Sequence, residues 1–263
     1  MKNVALIALF LIAGCQTQRV RQISSVELDT IGNSLATLQT GYEMCACNIA
    51  YMHVAAYKAS RPVMEQVPGS GLRIARIITD MSQGPAVQTG RELDLMIDGA
   101  GFFVVRTEDS GNMYSRGGVF ALNSHREIVT ISHGGQRLEP AIVVPEDAMR
   151  LLISESGRVC VVRTGSVEPE EIGQVQLACF PSAECLKSIN GGVFVETPDS
   201  GAPILSEPGL GACGVIRQGM YEGSNVNMIT EQITAMRIEQ QYGALVRLVL
   251  PGNTPSLVAA GTR

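Results

Sequence analysis

The strongest constraint on how this chain folds is a pair of apolar series, one near each end, with spacings that alternate between three and four residues. The first series is Leu28, Ile31, Leu35, Leu38, Tyr42, Cys45, Ile49 and Met52, and the second is Val226, Ile229, Ile233 and Met236. This spacing is typical of a helix with one narrow apolar face, as in a coiled coil. An isolated helix would leave that face in water, so we expect the two ends of the chain to pack against each other.

The sequence also indicates where the second helix begins and ends. Ser224 and Asn225 are residue types that cap helix N-termini, and Pro251 followed by Gly252 is a typical stop signal. We therefore predict a paired helical domain made of residues 28–70 and 215–250. A central domain covers residues 71–214, and a C-terminal tail covers residues 251–263.

Between the helices the apolar residues occur in short runs, which is typical of a β domain. These runs are residues 93–97, 102–105, 128–131, 141–144, 159–162 and 175–180. Turn signals rich in Gly, Asn and Ser separate them, as in an antiparallel sandwich or barrel. The predicted fold is therefore mainly β with α, in which discontinuous terminal helices pair as a coiled-coil stalk around a central antiparallel β domain.

The first fifteen residues predict a targeting signal. Lys2 precedes an uncharged apolar run over residues 4–12, which is too short to span a bilayer, so residues 1–14 are interpreted as a secretory signal peptide. The run ends in a sequence that resembles a bacterial lipobox, with Cys15 as the lipidated residue and residues 15–27 as a tether. In the lipoprotein pattern, Gln16 at the next position indicates sorting to the outer membrane. The alternative is a buried N-terminal helix with an incidental cysteine.

Six cysteines remain once Cys15 is lipidated, and an oxidising periplasm favours pairing among them. Cys45 and Cys47 lie two residues apart on the first helix, where their Cβ atoms diverge, so they cannot bridge each other. The candidates for a disulfide are Cys160, Cys179, Cys185 and Cys213. A zinc site from Cys45, Cys47 and His53 is conceivable, but small buried residues and a surface imidazole explain them more simply, and we expect no metal or other cofactor.

Charge and motifs argue against nucleic-acid binding and against catalysis. The formal net charge is -5 and the chain contains no Trp, so both the electrostatic and the stacking contributions to nucleic-acid binding are weak. Asp94 and Asp98 could form a catalytic pair, but a solvated outer face of a strand explains them more simply. We expect no enzyme activity and no small-molecule substrate. A secreted enzyme built from Asp94, Asp98, His125 and His133 is the weakest alternative.

Several collinear blocks of sequence carry a family resemblance. They include residues 89–95 (TGRELDL), 97–105 (IDGAGFFVV), 114–120 (YSRGGVF) and 222–227 (EGSNVN). The signature positions are Gly90, Leu93, Asp94, Gly99, Gly101, Phe102, Phe103, Ser224, Asn225, Val226 and Asn227. Together the blocks resemble the bacterial flagellar basal-body rod and hook protein family, most closely its distal-rod branch, over roughly residues 30 to 245.

The resemblance implies a structural subunit that polymerises axially through its terminal helices, with the β domain facing outward. The residues expected to make the assembly contacts are Leu28, Ile31, Leu35, Leu38, Tyr42, Ile49, Val226, Ile229, Ile233 and Met236. The implied partners are further copies of the chain and other flagellar rod, hook or ring proteins, in the basal body within the periplasm. The membrane would be reached through the lipid on Cys15. The alternative is an outer-membrane-anchored paralogue that binds or scaffolds without polymerising.

Two departures from the family pattern have a structural consequence. Ala56 and Arg126 stand where the family usually has Gly. If that Gly has a positive φ in relatives, Ala56 would strain the same turn, and the backbone is expected to run differently there. A third departure concerns export, since rod proteins of this family normally carry no cleaved signal, whereas Cys15 implies the general secretory path.

Overall fold

The computed structural model describes residues 24–107, 111–131, 134–166, 168–190 and 192–249. The predicted signal peptide, Cys15, most of the tether, His133 and the tail 251–263 lie outside these residues.

Each end of the described chain forms one long helix. Helix α1 spans Ser25–Ala50, and its start is fixed by Ser24, whose hydroxyl accepts a hydrogen bond from the Glu27 backbone while the Glu27 carboxylate accepts one from the Ser24 backbone. Helix α2 spans Met228–Val249. The prediction that Ser224 and Asn225 cap α2 is wrong, because the Asn227 side chain accepts the hydrogen bond from the Thr230 amide at 3.1 Å.

The two helices pack against each other and run in opposite directions. Their contact is a small apolar core made of Leu38, Tyr42 and Cys45 from α1 and Ala235, Ile238, Tyr242 and Leu245 from α2. Asn48, near the end of α1, donates to Glu231, near the start of α2. The two terminal helices therefore meet, and each buries one of its sides on the other.

A β-hairpin follows α1 and packs on the helix pair. Strands β1 (Ser60–Val67) and β2 (Gly71–Thr79) are antiparallel, and Met64 and Leu72 contact the helical core. Ser34 and Thr37 of α1 bond the backbone N–H and C=O of Leu72. The helix predicted through Met52 thus ends at Ala50, and residues 60–79 form strands on both sides of the predicted boundary at residue 70.

The remaining strands form the β body. They are β3 (Ala86–Gln88), β4 (Leu95–Asp98), β5 (Phe102–Arg106), β6 (Asn112–Ser115), β7 (Phe120–Leu122), β8 (Ile128–Thr130), β9 (Arg137–Glu139), β10 (Ala148–Ile153), β11 (Arg158–Arg163), β12 (Glu170–Gln174), β13 (Leu177–Cys179), β14 (Lys187–Asn190), β15 (Val193–Val195), β16 (Ile204–Ser206), β17 (Val215–Gln218) and β18 (Met220–Glu222). A 3₁₀ turn spans Ala183–Cys185.

All described strand pairs are antiparallel, as predicted. The largest sheet runs in the order β14-β15-β6-β5-β9-β8-β7, with β13 joining β5 to β16, and a second sheet is β10-β11-β12. Strand β4 pairs with β17, and β3 pairs with β18, so the chain preceding α2 is bonded to strands far away in sequence. Phe103, Phe120 and Leu138 are fully buried in the core between the sheets.

Three predicted strands differ from the structure. The run predicted at residues 93–97 is strand only from Leu95, over Leu95–Asp98. Residues 141–144 form no strand; Val143 makes only an isolated bridge to Glu127. Pro140 and Pro145 flank this segment and lack the N–H groups that a ladder requires. The run predicted at residues 175–180 is strand only over Leu177–Cys179, while the half-exposed strand Glu170–Gln174, rich in acidic residues, was not indicated by hydrophobicity.

Cysteine pairing involves two of the four predicted candidates. Cys179 of β13 is bonded to Cys213, with their Cα atoms 6.1 Å apart. Among the described residues, the free thiols are Cys45, Cys47, Cys160 and Cys185.

The two replaced glycines keep the backbone conformation that favours Gly. Ala56 has φ +56° and Arg126 has φ +61°. The expectation that Ala56 would avoid this conformation is therefore wrong. Ala56 is fully buried and its N–H donates to the Glu222 carbonyl at 2.7 Å, so the surrounding contacts fix the turn.

Candidate functional site

The helix pair is joined to the β body through one fully buried carboxylate, that of Glu222 at the end of β18. Its Oε1 accepts hydrogen bonds from Lys58 Nζ at 2.5 Å and from the Gly84 amide at 2.8 Å. Its Oε2 lies 2.7 Å from Arg116 Nη2. Burial lowers the pKa of Lys58, and the charge of Glu222 opposes that shift. Three distant parts of the chain therefore share one charge cluster.

Arg116 extends this cluster into the signature blocks. Its Nη1 donates to the carbonyls of Gly99 and Gly101, at 2.8 and 2.6 Å. Both glycines have positive φ, of 112° and 121°, which explains why Gly suits these positions. The glycine turn between β4 and β5 therefore binds the buried guanidinium of Arg116. The sequence did not predict this contact.

Asn225 is the second connection between the helix pair and the β body. Its Oδ1 accepts from the Ala59 amide at 2.8 Å, and its Nδ2 donates to the carbonyls of Asp80 and Ser82. Ser224 accepts from the Val226 amide at 3.2 Å. The signature residues before α2 therefore fix the path of the chain into the helix, and Glu222, Lys58, Arg116 and Asn225 are together called the joint below.

A polar cluster lies inside the helix pair itself. Asn48 Nδ2 donates to Glu231 Oε2 at 3.1 Å, and Asn48 Oδ1 accepts from Tyr57 Oη at 3.1 Å. Burial, followed by the charge of Glu231, raises the pKa of the Cys45 thiol to about 11. Burial likewise raises the pKa of Tyr57 to about 12, so both groups are neutral at physiological pH.

The signature residues of the β body serve packing and turns. Asp94 is buried, accepts from Thr89 Oγ1 at 2.6 Å and lies 3.6 Å from Arg91. Asp98 is exposed and lies 3.3 Å from Arg217. The predicted shared solvated face of Asp94 and Asp98 is therefore wrong, because strand β4 begins only at Leu95 and strand alternation does not apply at residue 94.

The remaining signature residues fill the core or a turn. Phe103 packs edge-to-face on Phe120, and Phe102 on Phe194, on the opposite side of the sheet. Leu93 packs partly buried against the same core as Phe103. Gly90 has φ +73°, and its N–H donates to the Gly219 carbonyl at 2.9 Å.

Comparisons with known proteins agree on one family. The family model described as "Flagellar hook protein FlgE/F/G D1 domain" matches residues 96–161. The chain is 31% identical to the flagellar basal-body rod protein FlgG of Agrobacterium fabrum, over 79% of this chain and 89% of that protein. The FlgG proteins of Caulobacter vibrioides (31% identity, 81% of this chain, 90% of that protein) and Borreliella burgdorferi (32%, 82% and 84%) are similar to the same extent. The chain belongs to the flagellar basal-body rod protein family.

In this rod-family chain the predicted assembly residues of α1 are placed differently from those of α2. Leu38 is buried against α2, Ile31, Leu35, Tyr42 and Ile49 are half-buried, and Leu28 is exposed. On α2, Ile229, Ile233 and Met236 are exposed by 69%, 45% and 60%, and Val226 is half-buried before the helix begins. These three exposed residues form what we call the outer face of α2.

A second series on α2 meets α1 instead. This inner face consists of Glu231, Ala235, Ile238, Tyr242 and Leu245, which also alternate in spacings of four and three. The buried carboxylate of Glu231 interrupts its apolar pattern, so hydrophobicity alone selected the wrong series for the contact with α1.

The described residues of this rod-family chain contain no group of three His, Cys, Asp or Glu side chains placed to hold a metal ion. No helix within those same residues is long and apolar enough to cross a membrane. The buried carboxylates of Asp94, Glu222 and Glu231 each accept a hydrogen bond from another protein group, although Asp94 Oδ1 accepts none and lies 3.6 Å from Arg91.

Proposed function

We propose that the protein is a structural subunit of the flagellar basal-body rod, of the distal-rod type, which assembles through its terminal helices and carries its β body outward. The observation that carries this proposal is the antiparallel pairing of α1 and α2 with a second apolar face left exposed on α2. Exposed apolar residues on one side of a helix are typical of a surface that another protein covers.

The joint supports the same role. A subunit of a rotating shaft must pass force between its helices and its body without bending. Glu222 and Asn225 bond segments that are more than 100 residues apart in the chain, which fixes the helix pair on the body. The buried charges of Glu222, Lys58 and Arg116 are all engaged in this joint.

We further propose that Cys15 carries the lipid and that the chain is anchored in the outer membrane from the periplasmic side. Since α1 begins at Ser25, only residues 16–24 separate the lipid from the helix. The ten Cα–Cα steps from Cys15 to Ser25 span at most about 36 Å. The start of α1 must then lie close to the membrane, as it would where a rod passes through the outer membrane.

The proposal is tested by isolating basal bodies from cells that produce the protein. We expect the full-length chain to co-purify with them at many copies per particle and to be absent from membranes of cells without flagella. A lipidated protein spread evenly over flagellated and non-flagellated membranes would contradict it. Strictly monomeric behaviour at high concentration would instead support a tethered scaffold that does not polymerise.

A further inference from the structure

The outer face of α2 is an apolar feature that the described structure leaves in water. Beyond Ile229, Ile233 and Met236 this side of the helix passes the exposed polar Gln240 and continues through exposed Ala244 to Leu248, which is 60% exposed. The spacing of these residues keeps them on one side of the helix, opposite the inner face that meets α1. An exposed stripe of apolar side chains on one side of a helix is typical of a surface that binds another protein.

The charges of the two helices indicate which partner fits. Helix α1 contains Glu27, Asp29 and Glu43 and no Lys or Arg at all over its 26 residues. Helix α2 exposes Arg237 and Arg247 beside its apolar stripe, whereas its two carboxylates, Glu231 and Glu239, are buried and half-buried. A helix that is purely acidic and one that presents arginines are complementary in charge.

The side of α1 turned away from α2 also fits in shape. It exposes Ala36, Glu43, Ala46, Cys47 and Ala50, which recur with helical spacing and bear small side chains apart from the glutamate. Bulky residues such as Ile and Met pack closely over small ones, because the helix axes can then approach each other. The small residues alone would not identify a partner; the matching charges and the exposed stripe on α2 do.

Contacts within one copy set the relative heights of the two helices. Asn48 bonds Glu231, and Gly41 lies against Ile238, so each step along α1 corresponds to one step back along α2. By this matching the residues at equal height are Ala50 with Ile229, Ala46 with Ile233, and Glu43 with Met236. Arg237 is one residue, about 1.5 Å of rise, from the level of Glu43.

We propose that the outer face of α2 docks on the outer side of α1 of a neighbouring copy of this chain, at the same height, with Arg237 facing Glu43 and with Ile229 and Ile233 over Ala50 and Ala46. The inference rests on the proposed rod function and names the faces that meet. Because the two faces point away from each other in one copy, the contact is heterologous, and at equal height it adds copies side by side around the rod.

A disulfide experiment reads this register directly. Cys47 is an exposed native thiol at the height of residue 232, so Ile233→Cys in the full-length protein places a second thiol beside it in the neighbouring copy. Mild oxidation during assembly should give a ladder of covalent multimers. The variant Ala244→Cys carries its thiol on the same side of α2 but about 18 Å along the helix axis from the height of Cys47, so it should give only the background level of multimers. Ile233→Cys combined with Cys47→Ser should also give only that background.

Exchanging the charges of Glu43 and Arg237 tests the same contact independently. Glu43→Arg and Arg237→Glu should each lower the sedimentable assembled fraction several-fold, and the double variant should restore it. Glu146→Arg, a reversal at an exposed position of the β body, is the matched control and should assemble normally.

The outcomes separate the two proposals. If the unaltered protein assembles but neither the ladder nor the rescue appears, the assigned faces are wrong and the rod function stands. A disulfide that forms within one copy, leaving the mass unchanged, also overturns the assignment. If the unaltered protein never assembles, the rod function and this contact fail together.

Discussion

Replacing Glu222 with Gln should destabilise the protein by about 3–5 kcal/mol. The carboxylate is fully buried and balances two cations, Lys58 and Arg116, whose side chains are 1% and 6% exposed. Gln preserves the shape and can still accept from the Gly84 amide, but it removes the charge. Breaking a buried ion pair by removing one partner costs about this much, because the remaining charge is left buried without compensation.

The pH dependence of that loss gives a sharper test. Burial already lowers the pKa of Lys58 from its ordinary value of 10.5, and Glu222 partly offsets the shift. Without Glu222 the folded-state pKa falls further, so below pH 10.5 the unfolded chain binds more protons at this site than the folded chain. Stability therefore rises with pH in that window. The difference in the free energy of unfolding between the unaltered protein and Glu222→Gln should therefore shrink as the pH is raised from 7 toward 10.5.

Urea unfolding of the full-length protein in detergent measures both effects. We expect the midpoint to fall with an unchanged slope. Glu207→Gln, at an exposed position, is the matched control and should change the free energy of unfolding by less than about 0.5 kcal/mol. A loss below about 1 kcal/mol for Glu222→Gln, or a deficit that grows with pH, would refute the role assigned to the buried carboxylate.

Three further changes test other parts of the account. Replacing Cys179 and Cys213 together by Ser should cost about 4 kcal/mol in urea unfolding, since the bond closes a loop with a sequence separation of 34; an unchanged midpoint would contradict this. Asn225→Ala should cost about 2 kcal/mol because it removes hydrogen bonds to three backbone groups, and a wild-type melting curve would show that these Asn225 contacts are dispensable. Cys15→Ser should abolish incorporation of radiolabelled palmitate, and label that persists would show that the lipidation site is wrong.

Local periodicity was sufficient to predict α1. The apolar series from Leu28 to Ile49 lies within the helix Ser25–Ala50, because a sustained alternation of three and four leaves few other conformations. The antiparallel character of the β body followed in the same way from short apolar runs and turn residues. The hairpin at residues 60–79 was missed although Gly69 and Gly71, both with positive φ, mark its turn.

The burial of several charged side chains depends on partners far away in the sequence, which the local hydrophobic pattern does not show. Glu231 lies on the inner face of α2 because Asn48, 183 residues earlier, donates a hydrogen bond to its carboxylate, and no pattern within α2 reveals that. Asp94 is buried because a turn precedes β4 and Thr89 meets its side chain. The joint was equally invisible, since the charge balance of Glu222 depends on residues more than 100 positions away.

Electron cryomicroscopy of basal bodies isolated from cells that make the protein is the most direct test of the central claim. We expect a helical reconstruction in which α1 and α2 line the rod as antiparallel pairs, with the β body outside and the joint between them. Basal bodies whose rod density leaves no place for these paired helices, with the protein recovered only in the membrane, would contradict it.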